Sequence, residues 1–176
     1  SMGVGRELFA RRADGSEFPI EIGLNTVRGP AGPLAVASVV DISARTEAET
    51  TFRNIVDAAP YGMLMVDEDG MIVLANPYVT RFFGYTQEEL LGRSIELLVP
   101  QRYRDSHVPQ REAYGRAPTW RVMGANRYLT AQHKDGSELP VEIGLSPVRW
   151  KGRTVSLAAV VDTTDRKRLE LELREA

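Results

Sequence analysis

The chain has no cysteine among its 176 residues. That excludes disulfides, thiolate metal sites, a cysteine nucleophile and any pigment attached through a thioether. It has only two histidines, His107 and His133, so imidazole chemistry is confined to two positions. No apolar run approaches the roughly 18 residues of a membrane span, and no signal peptide is visible. An excess of one charge is missing too. The 22 Lys and Arg against 24 Asp and Glu leave a net charge of -2 without a basic stripe, so neither nucleic acid nor a membrane is an expected partner. No glycine-rich phosphate loop, metal-ligand cluster or Ser/His/Asp order is present, and Ser106 beside His107 is adjacency without attack geometry. The expectation is therefore no enzyme activity within the segment. A cytoplasmic location is the simplest reading. Ser1-Met2-Gly3 looks like an expression remnant, which points to a piece excised from a longer protein.

What the chain does have is a copy of itself. Asp14-Gly-Ser-Glu-Phe-Pro-Ile-Glu-Ile-Gly-Leu24 returns, 121 positions later and without a gap, as Asp135-Gly-Ser-Glu-Leu-Pro-Val-Glu-Ile-Gly-Leu145. The match runs back through Arg6/Arg127 and Leu8/Leu129, and forward to Val39-Val40-Asp41/Val160-Val161-Asp162 and Arg45/Arg166. A period this long exceeds the roughly 20 to 50 residues of solenoid repeats and means tandem copies of a small domain. The first copy lacks its front half.

Alternation of apolar and polar residues predicts three strands at 6 to 13, 16 to 27 and 34 to 42, broken at Asp14-Gly15 and at Gly29-Pro-Ala-Gly-Pro33. These three strands expose a bare apolar face. Ser43 is placed to cap a helix carrying Ala48, Phe52, Ile55, Val56 and Ala59 at helical spacing, ended by Pro60. The complete copy opens with a hairpin, Gly62-Met-Leu-Met-Val-Asp67 and Met71-Ile-Val-Leu-Ala75. Asn76 is placed to cap a helix with Pro77 in its first turn and Gly84 at its end. Thr86-Gln-Glu-Glu89 has capping-box spacing. A short apolar turn and a helix are expected across 97 to 119. Strands at 122 to 134, 137 to 149 and 153 to 162 follow, and then a charged helix from Thr164 with Leu169 and Leu173 on one face. Phe82, Phe83, Leu90, Leu98, Met63 and Met65 are expected in the core, Trp120 half-buried at a strand start, and His133 in solvent.

This order predicts an α+β domain: a five-stranded antiparallel sheet with helices on one face. Asn76-Pro-Tyr, Phe83-Gly-Tyr-Thr-Gln-Glu-Glu-Leu-Leu-Gly92, Lys134-Asp-Gly-Ser-Glu-Leu-Pro and Val161-Asp-Thr-Thr-Asp-Arg166 resemble the PAS sensory domain. The resemblance implies the C-terminal half of a first PAS domain at 1–43, a connecting helix at 44–60, a complete PAS domain at 61–164 and the start of an output, coiled-coil type helix at 165–176. It further implies a regulatory module of a larger signal-transduction protein of the histidine kinase or cyclic-di-GMP enzyme type. Its expected partners are a second copy of itself, the effector domain of the same polypeptide and a small-molecule ligand.

Pro100-Gln-Arg-Tyr-Arg-Asp-Ser-His107 with Arg127 is similar to the haem-binding PAS domains of oxygen sensors, which implies His107 as iron ligand of haem b and Arg127 near bound oxygen. Val122, Leu129, Ile143 and Leu145 are the expected pocket lining. The same residues also have a plain structural reading, with His107 packing its helix and Arg127 paired to a carboxylate or backbone carbonyl. Trp120 could stack on a flavin, a metabolite is a further option, and a ligand-free dimerisation and relay domain is the other alternative. Asp41 and Asp162 match the exit motif of the family. There the acid is expected to cap the following helix and to meet a base four positions on, Arg166 in the second copy.

Overall fold

The computed structural model describes residues 7–30, 32–123 and 129–175. The chain divides into two units, Ser1–Ile55 and Val56–Ala176.

In the first unit, β1 (Leu8–Arg11), β2 (Glu17–Gly29) and β3 (Gly32–Asp41) form a three-stranded antiparallel sheet in sequence order. The β1–β2 turn follows from Asp14-Gly15-Ser16. The Asp14 carboxylate accepts from the Ser16 N–H at 2.9 Å, and Gly15 takes φ 87, a left-handed backbone that glycine adopts without strain. Helix α1 (Ser43–Ala58) follows.

The second unit opens with the hairpin β4 (Gly62–Val66) and β5 (Ile72–Ala75) and continues through α2 (Pro77–Phe83) and α3 (Gln87–Leu90). Two 3-10 turns, Ile95–Leu98 and Gln101–Tyr103, then lead into α4 (Arg104–Arg116). The closing strands are β6 (Arg121–Met123), β7 (Leu129–Gln132), β8 (Glu138–Trp150) and β9 (Arg153–Asp162), with α5 (Thr164–Glu175) leaving the sheet. The sheet order is β5-β4-β9-β8-β6, and β7 also pairs with β8. The single strand expected at 122 to 134 thus enters as two described pieces on one flank of β8, so the sheet is five strands wide. Leu64, Ile72, Val79, Phe83, Leu90, Leu98, Val141 and Val160 are buried in one cluster between sheet and helices. Phe82, expected in this core, lies partly buried against it.

The repeat in sequence is a repeat in register. Leu8 pairs with Ile20 as Leu129 pairs with Val141, and Ile20 with Asp41 as Val141 with Asp162. Both copies carry the same Asp-Gly turn, since the Asp135 carboxylate accepts from the Ser137 N–H at 2.8 Å.

Asn76 ties the second unit together. Its side chain is fully buried. Its Oδ1 accepts from the N–H of Val79 at 3.2 Å, capping α2, and from that of Met63 at 3.0 Å on β4. Its Nδ2 donates to the carbonyls of Val56, in the last turn of α1, and of Tyr61, both at 3.0 Å. Asparagine alone presents an acceptor and a two-proton donor in so short a side chain. Replacing Asn76 by Ala leaves buried backbone groups without partners, each costing about 1 to 3 kcal/mol. Thermal melts should show Asn76→Ala losing roughly 3 kcal/mol or more. Asn76→Asp, which keeps the acceptor and loses both donations, should also fall below wild type, and a wild-type melt for either would contradict this account.

Candidate functional site

The strand-to-helix exit is built from β8, β9 and α5. Thr163 is a buried polar residue, and its N–H donates to the Pro140 carbonyl at 3.1 Å. The Asp162 carboxylate accepts from the backbone N–H of Thr164 at 2.8 Å and from its hydroxyl at 2.6 Å. The expected Asp162–Arg166 pair is not formed; the Arg166 guanidinium donates to Glu142 on β8 at 3.0 Å. The reason is local. Asp162 is the last strand residue, so its carboxylate turns to the helix start, whereas Arg166, one turn on, reaches back across the sheet.

The first unit repeats the junction. The Ile42 N–H donates to the Pro19 carbonyl at 3.1 Å, and Asp41 accepts from the Ser43 N–H at 2.9 Å and from Arg12 at 2.9 Å. Hydrogen bonds from Ser43 and then Arg12 hold the Asp41 carboxyl below the usual range. Here the arginine after the junction takes another partner, Arg45 donating to Glu49 at 3.2 Å.

A second polar site lies between α4 and the preceding turn. Glu96 Oε1 lies 3.0 Å from His107 Nδ1 and accepts from Arg111 Nε at 3.0 Å, while its other oxygen accepts from the Ser94 hydroxyl. Burial by itself would raise the Glu96 carboxyl, but the bonds from Ser94, His107 and Arg111 outweigh it and hold the group down at about 2. Arg111 also reaches the Glu68 carbonyl at 3.4 Å, so the cluster fastens α4 to the β4–β5 turn.

Three of the four expected pocket residues come together on the core side of the sheet. Leu129, Ile143 and Leu145 pack against the buried cluster of the core. Val122 does not join them: it pairs with Gly144, between positions 143 and 145, and is 41% exposed. With side chains alternating along a strand, it faces the opposite side of the sheet. Arg127 lies outside the described residues. Trp120 precedes β6 and is exposed, not half-buried. His133 is part-buried and not fully in solvent: its Nδ1 accepts from the Asp135 N–H at 3.2 Å and its ring lies against Gly84.

These positions do not fit a haem. An axial imidazole needs an apolar chamber for the macrocycle, whereas His107, 27% exposed, stands in a charged cluster with Glu96 and Arg111. Two open clefts of about 440 and 480 Å3 flank Tyr85, and the larger reaches Arg93, Glu96 and Arg104. Neither is lined by His107, Leu129, Ile143 or Leu145.

A hairpin, short capped helices and two long strands, β8 and β9, leading into an exit helix are the geometry in which residues 60–165 match the PAS domain family. The chain belongs to the PAS domain family. Among solved structures, the PAS domain of an HTR-like protein from Haloarcula marismortui superposes with a TM-score of 0.58, at 23% identity over 68% of this chain and 94% of that one. The sensor protein FixL of Bradyrhizobium diazoefficiens is 25% identical over 127 residues, 72% of this chain and 25% of FixL. The oxygen sensor protein DosP of Escherichia coli is 31% identical over 106 residues, 58% of this chain and 13% of DosP. The chain thus spans a quarter or less of these relatives. It is a PAS sensory module, and a PAS domain is itself non-catalytic. No helix among the described residues is long and apolar enough to cross a membrane.

Sequence reasoning about this PAS domain named His107, Asp162 and Arg166 and missed Glu96, Arg111, Glu142 and Pro140. A glutamate eleven positions before His107 carries no periodic signal; only the packing of α4 on the turn at 95 to 98 unites them. Glu142 was legible in principle, because it alternates with Val141 and Ile143 and so had to face away from the core.

The Glu96 cluster has a pH signature. The carboxyl is lowered in the fold from its ordinary 4.5 to about 2, so its contribution to stability is complete above about 4.5 and is lost as pH falls towards 2. Glu96→Gln should therefore be less stable than wild type at neutral pH and show a shallower acid dependence between these values in chemical denaturation. Parallel stability–pH curves would overturn the assignment.

Proposed function

We propose that this chain is the relay segment of a larger signalling protein of the histidine kinase or cyclic-di-GMP enzyme type. A change in the PAS domain of residues 61–164 passes through the exit at Asp162 to the helix of residues 165–176, and from there to an effector on the same polypeptide. Residues 1–43 are the closing strands of a first PAS copy, so that α1 serves as the exit helix of one copy and the entry of the next.

The observation that carries this reading is the attachment of α5. Its lead-in residue Thr163 is buried and bonded to Pro140, and Arg166 in its first turns is paired to Glu142. Both anchors lie on β8, the strand whose other face contributes Val141 and Ile143 to the core. A displacement of β8 is therefore transmitted to the start of α5. The Arg166–Glu142 pair is half-exposed and worth under about 1 kcal/mol, which suits a switch between states separated by a few kcal/mol. The oxygen sensing for which DosP is named is not carried over, because His107 is engaged by Glu96.

The active form in this reading is a homodimer. Leu169 is exposed on α5, as is Leu173 at 79%, and their i, i+4 spacing makes one stripe. In analytical ultracentrifugation the wild-type chain should sediment as a dimer, and the double variant Leu169→Glu, Leu173→Glu as a monomer with unchanged circular dichroism. A wild-type monomer at tens of micromolar would count against the dimer.

Haem should produce no Soret band that depends on His107. A band formed by wild type and abolished in His107→Ala would return the chain to the gas-sensor class.

A further inference from the structure

The net charge of -2 conceals an uneven distribution. No aspartate or glutamate occurs in residues 113–134 or in residues 143–161. The antiparallel pairing of β6 with β8, Arg121 opposite Leu145, lays these two acid-free stretches side by side. Charges that alternate in sign along the chain are thus sorted by folding, and a basic patch forms at one end of the sheet.

The centre of the patch is the hairpin between β8 and β9. Trp150 pairs with Arg153, so only Lys151 and Gly152 turn the chain. Lys151 takes φ 47 and Gly152 φ 80, and Lys151 is the one residue other than glycine with a positive φ among the described residues. A two-residue turn with both φ values positive favours Asn-Gly, because asparagine tolerates the left-handed backbone better than a long side chain does. Lysine at this position gives up local stability, and strain of this kind is retained where a side chain is needed for something else. The first copy supplies the contrast. Its corresponding segment, Arg28-Gly29-Pro30-Ala31-Gly32-Pro33, carries one base, whereas Arg149-Trp150-Lys151-Gly152-Arg153-Thr154 carries three and an indole. The repeat keeps the strands and changes the tip.

Trp120 belongs to the same end of the sheet. It is 72% exposed and precedes Val122, which lies opposite Gly144, by two residues. Trp150 is an even number of positions along β8 from Gly144 and so stands on the face that Val122 occupies. Trp120 and Trp150 are the only two tryptophans of the chain. The Lys151 ammonium lies 5.7 Å from the centre of the Trp150 ring, and Arg149, Lys151 and Arg153 are exposed. The Arg121 guanidinium lies over the Tyr114 ring at 4.5 Å. Among the described residues none of these four cations is paired with a carboxylate. Along the strand ladder the next acids are those of the β4–β5 turn, beyond Val66 opposite Ser156. Asp67 there accepts from the N–H groups of Asp69 at 3.1 Å and Met71 at 2.8 Å.

We propose that this hairpin tip, with the adjoining start of β6, is an anchor that rests on the surface of a membrane containing anionic phospholipid. A projecting two-residue tip offers no groove to a peptide chain, and neither of the two open clefts is lined by any residue of the patch. Its natural counterpart is a flat surface. Lysine and arginine are drawn to an anionic leaflet, each strengthening attachment about 5-fold. Indole rings settle at the level of the headgroups, with the apolar body inward and the N–H hydrated. The anchor goes beyond the relay proposed above and needs no part of it.

Both tryptophans lie in the patch, so their emission reports contact directly. The full chain is titrated with phosphatidylcholine vesicles, with and without phosphatidylserine, and binding is followed by co-sedimentation and by tryptophan emission. Vesicles containing phosphatidylserine should bind about 100-fold more tightly than phosphatidylcholine alone and shift the emission to the blue. Lys151→Asn should weaken that binding about 5-fold, and the double variant Lys151→Asn, Arg153→Gln about 25-fold. Lys151→Asn should nevertheless melt at or above the wild-type temperature, because Asn-Gly suits the turn. No binding, equal binding to the two compositions, or wild-type affinity in Lys151→Asn would each overturn the anchor. An emission shift with polyglutamate or an RNA oligonucleotide, without binding to vesicles, would overturn it as well and assign the patch to another polyanion.

Discussion

The second unit depends on one buried amide. Asn76 serves the end of α1, the start of β4 and the first turn of α2, and leaves no polar atom of its own unpaired. Helix starts always carry orphan N–H groups, and chain crossings near a core leave carbonyls that water cannot reach. A single side chain meets both needs here because its acceptor and donor ends diverge from one carbon. The hairpin and α2 are consequently held at one angle, and the face formed by Val79 and Phe83 meets the sheet where Val160 and Val141 present theirs. Moving the end of α1 means moving Val56 O, and with it a hydrogen bond at the centre of the PAS domain.

At the opposite end, the exit uses weaker material. Thr163 and Pro140 fix where the chain leaves the sheet, and the half-exposed pair Arg166–Glu142 ties the first turns of α5 to β8. Buried backbone bonds resist change, while solvent-screened ion pairs cost little to exchange. That contrast between a rigid entry at Asn76 and a soft exit at Arg166 is what the proposed relay would use. The first unit has the same backbone junction at Ile42 and Pro19 but spends its arginine along the helix, on Glu49.

The charged cluster at Glu96 occupies the region where a cofactor reading would place its ligand. Glu96, His107 and Arg111 fasten α4 to the turn before it, and the bonds to Glu96 are strong enough to overcome the cost of burying a carboxylate. His107 is engaged by Glu96, and of the apolar residues expected as pocket lining Leu129, Ile143 and Leu145 pack against the core while Val122 is exposed. The family resemblance therefore gives the architecture, whereas the chemistry of the site belongs to this chain's own side chains.

Local rules carried much of the fold. Asn76 before Pro77, Gly84, the Thr86–Glu89 capping box and the two Asp-Gly turns are short-range devices whose partners lie within a few residues, so their spacing is visible in one dimension, and the structure has each of them. The repeat at 121 residues likewise announced matching registers. Partners distant in sequence were not visible: Asn76 with Val56, Glu96 with Arg111, and Arg166 with Glu142 instead of Asp162. Val122 was misplaced because a strand's alternation gives two faces without saying which is the inner one. By itself the sequence determined the order of elements, their caps and the twofold occurrence of the closing strands, because these follow from backbone preference and periodicity. Only the tertiary structure decided which face is covered, which carboxylate takes which base, and that Val160 is buried while Val39 stands exposed, because burial belongs to the segments packed around a residue and not to the residue.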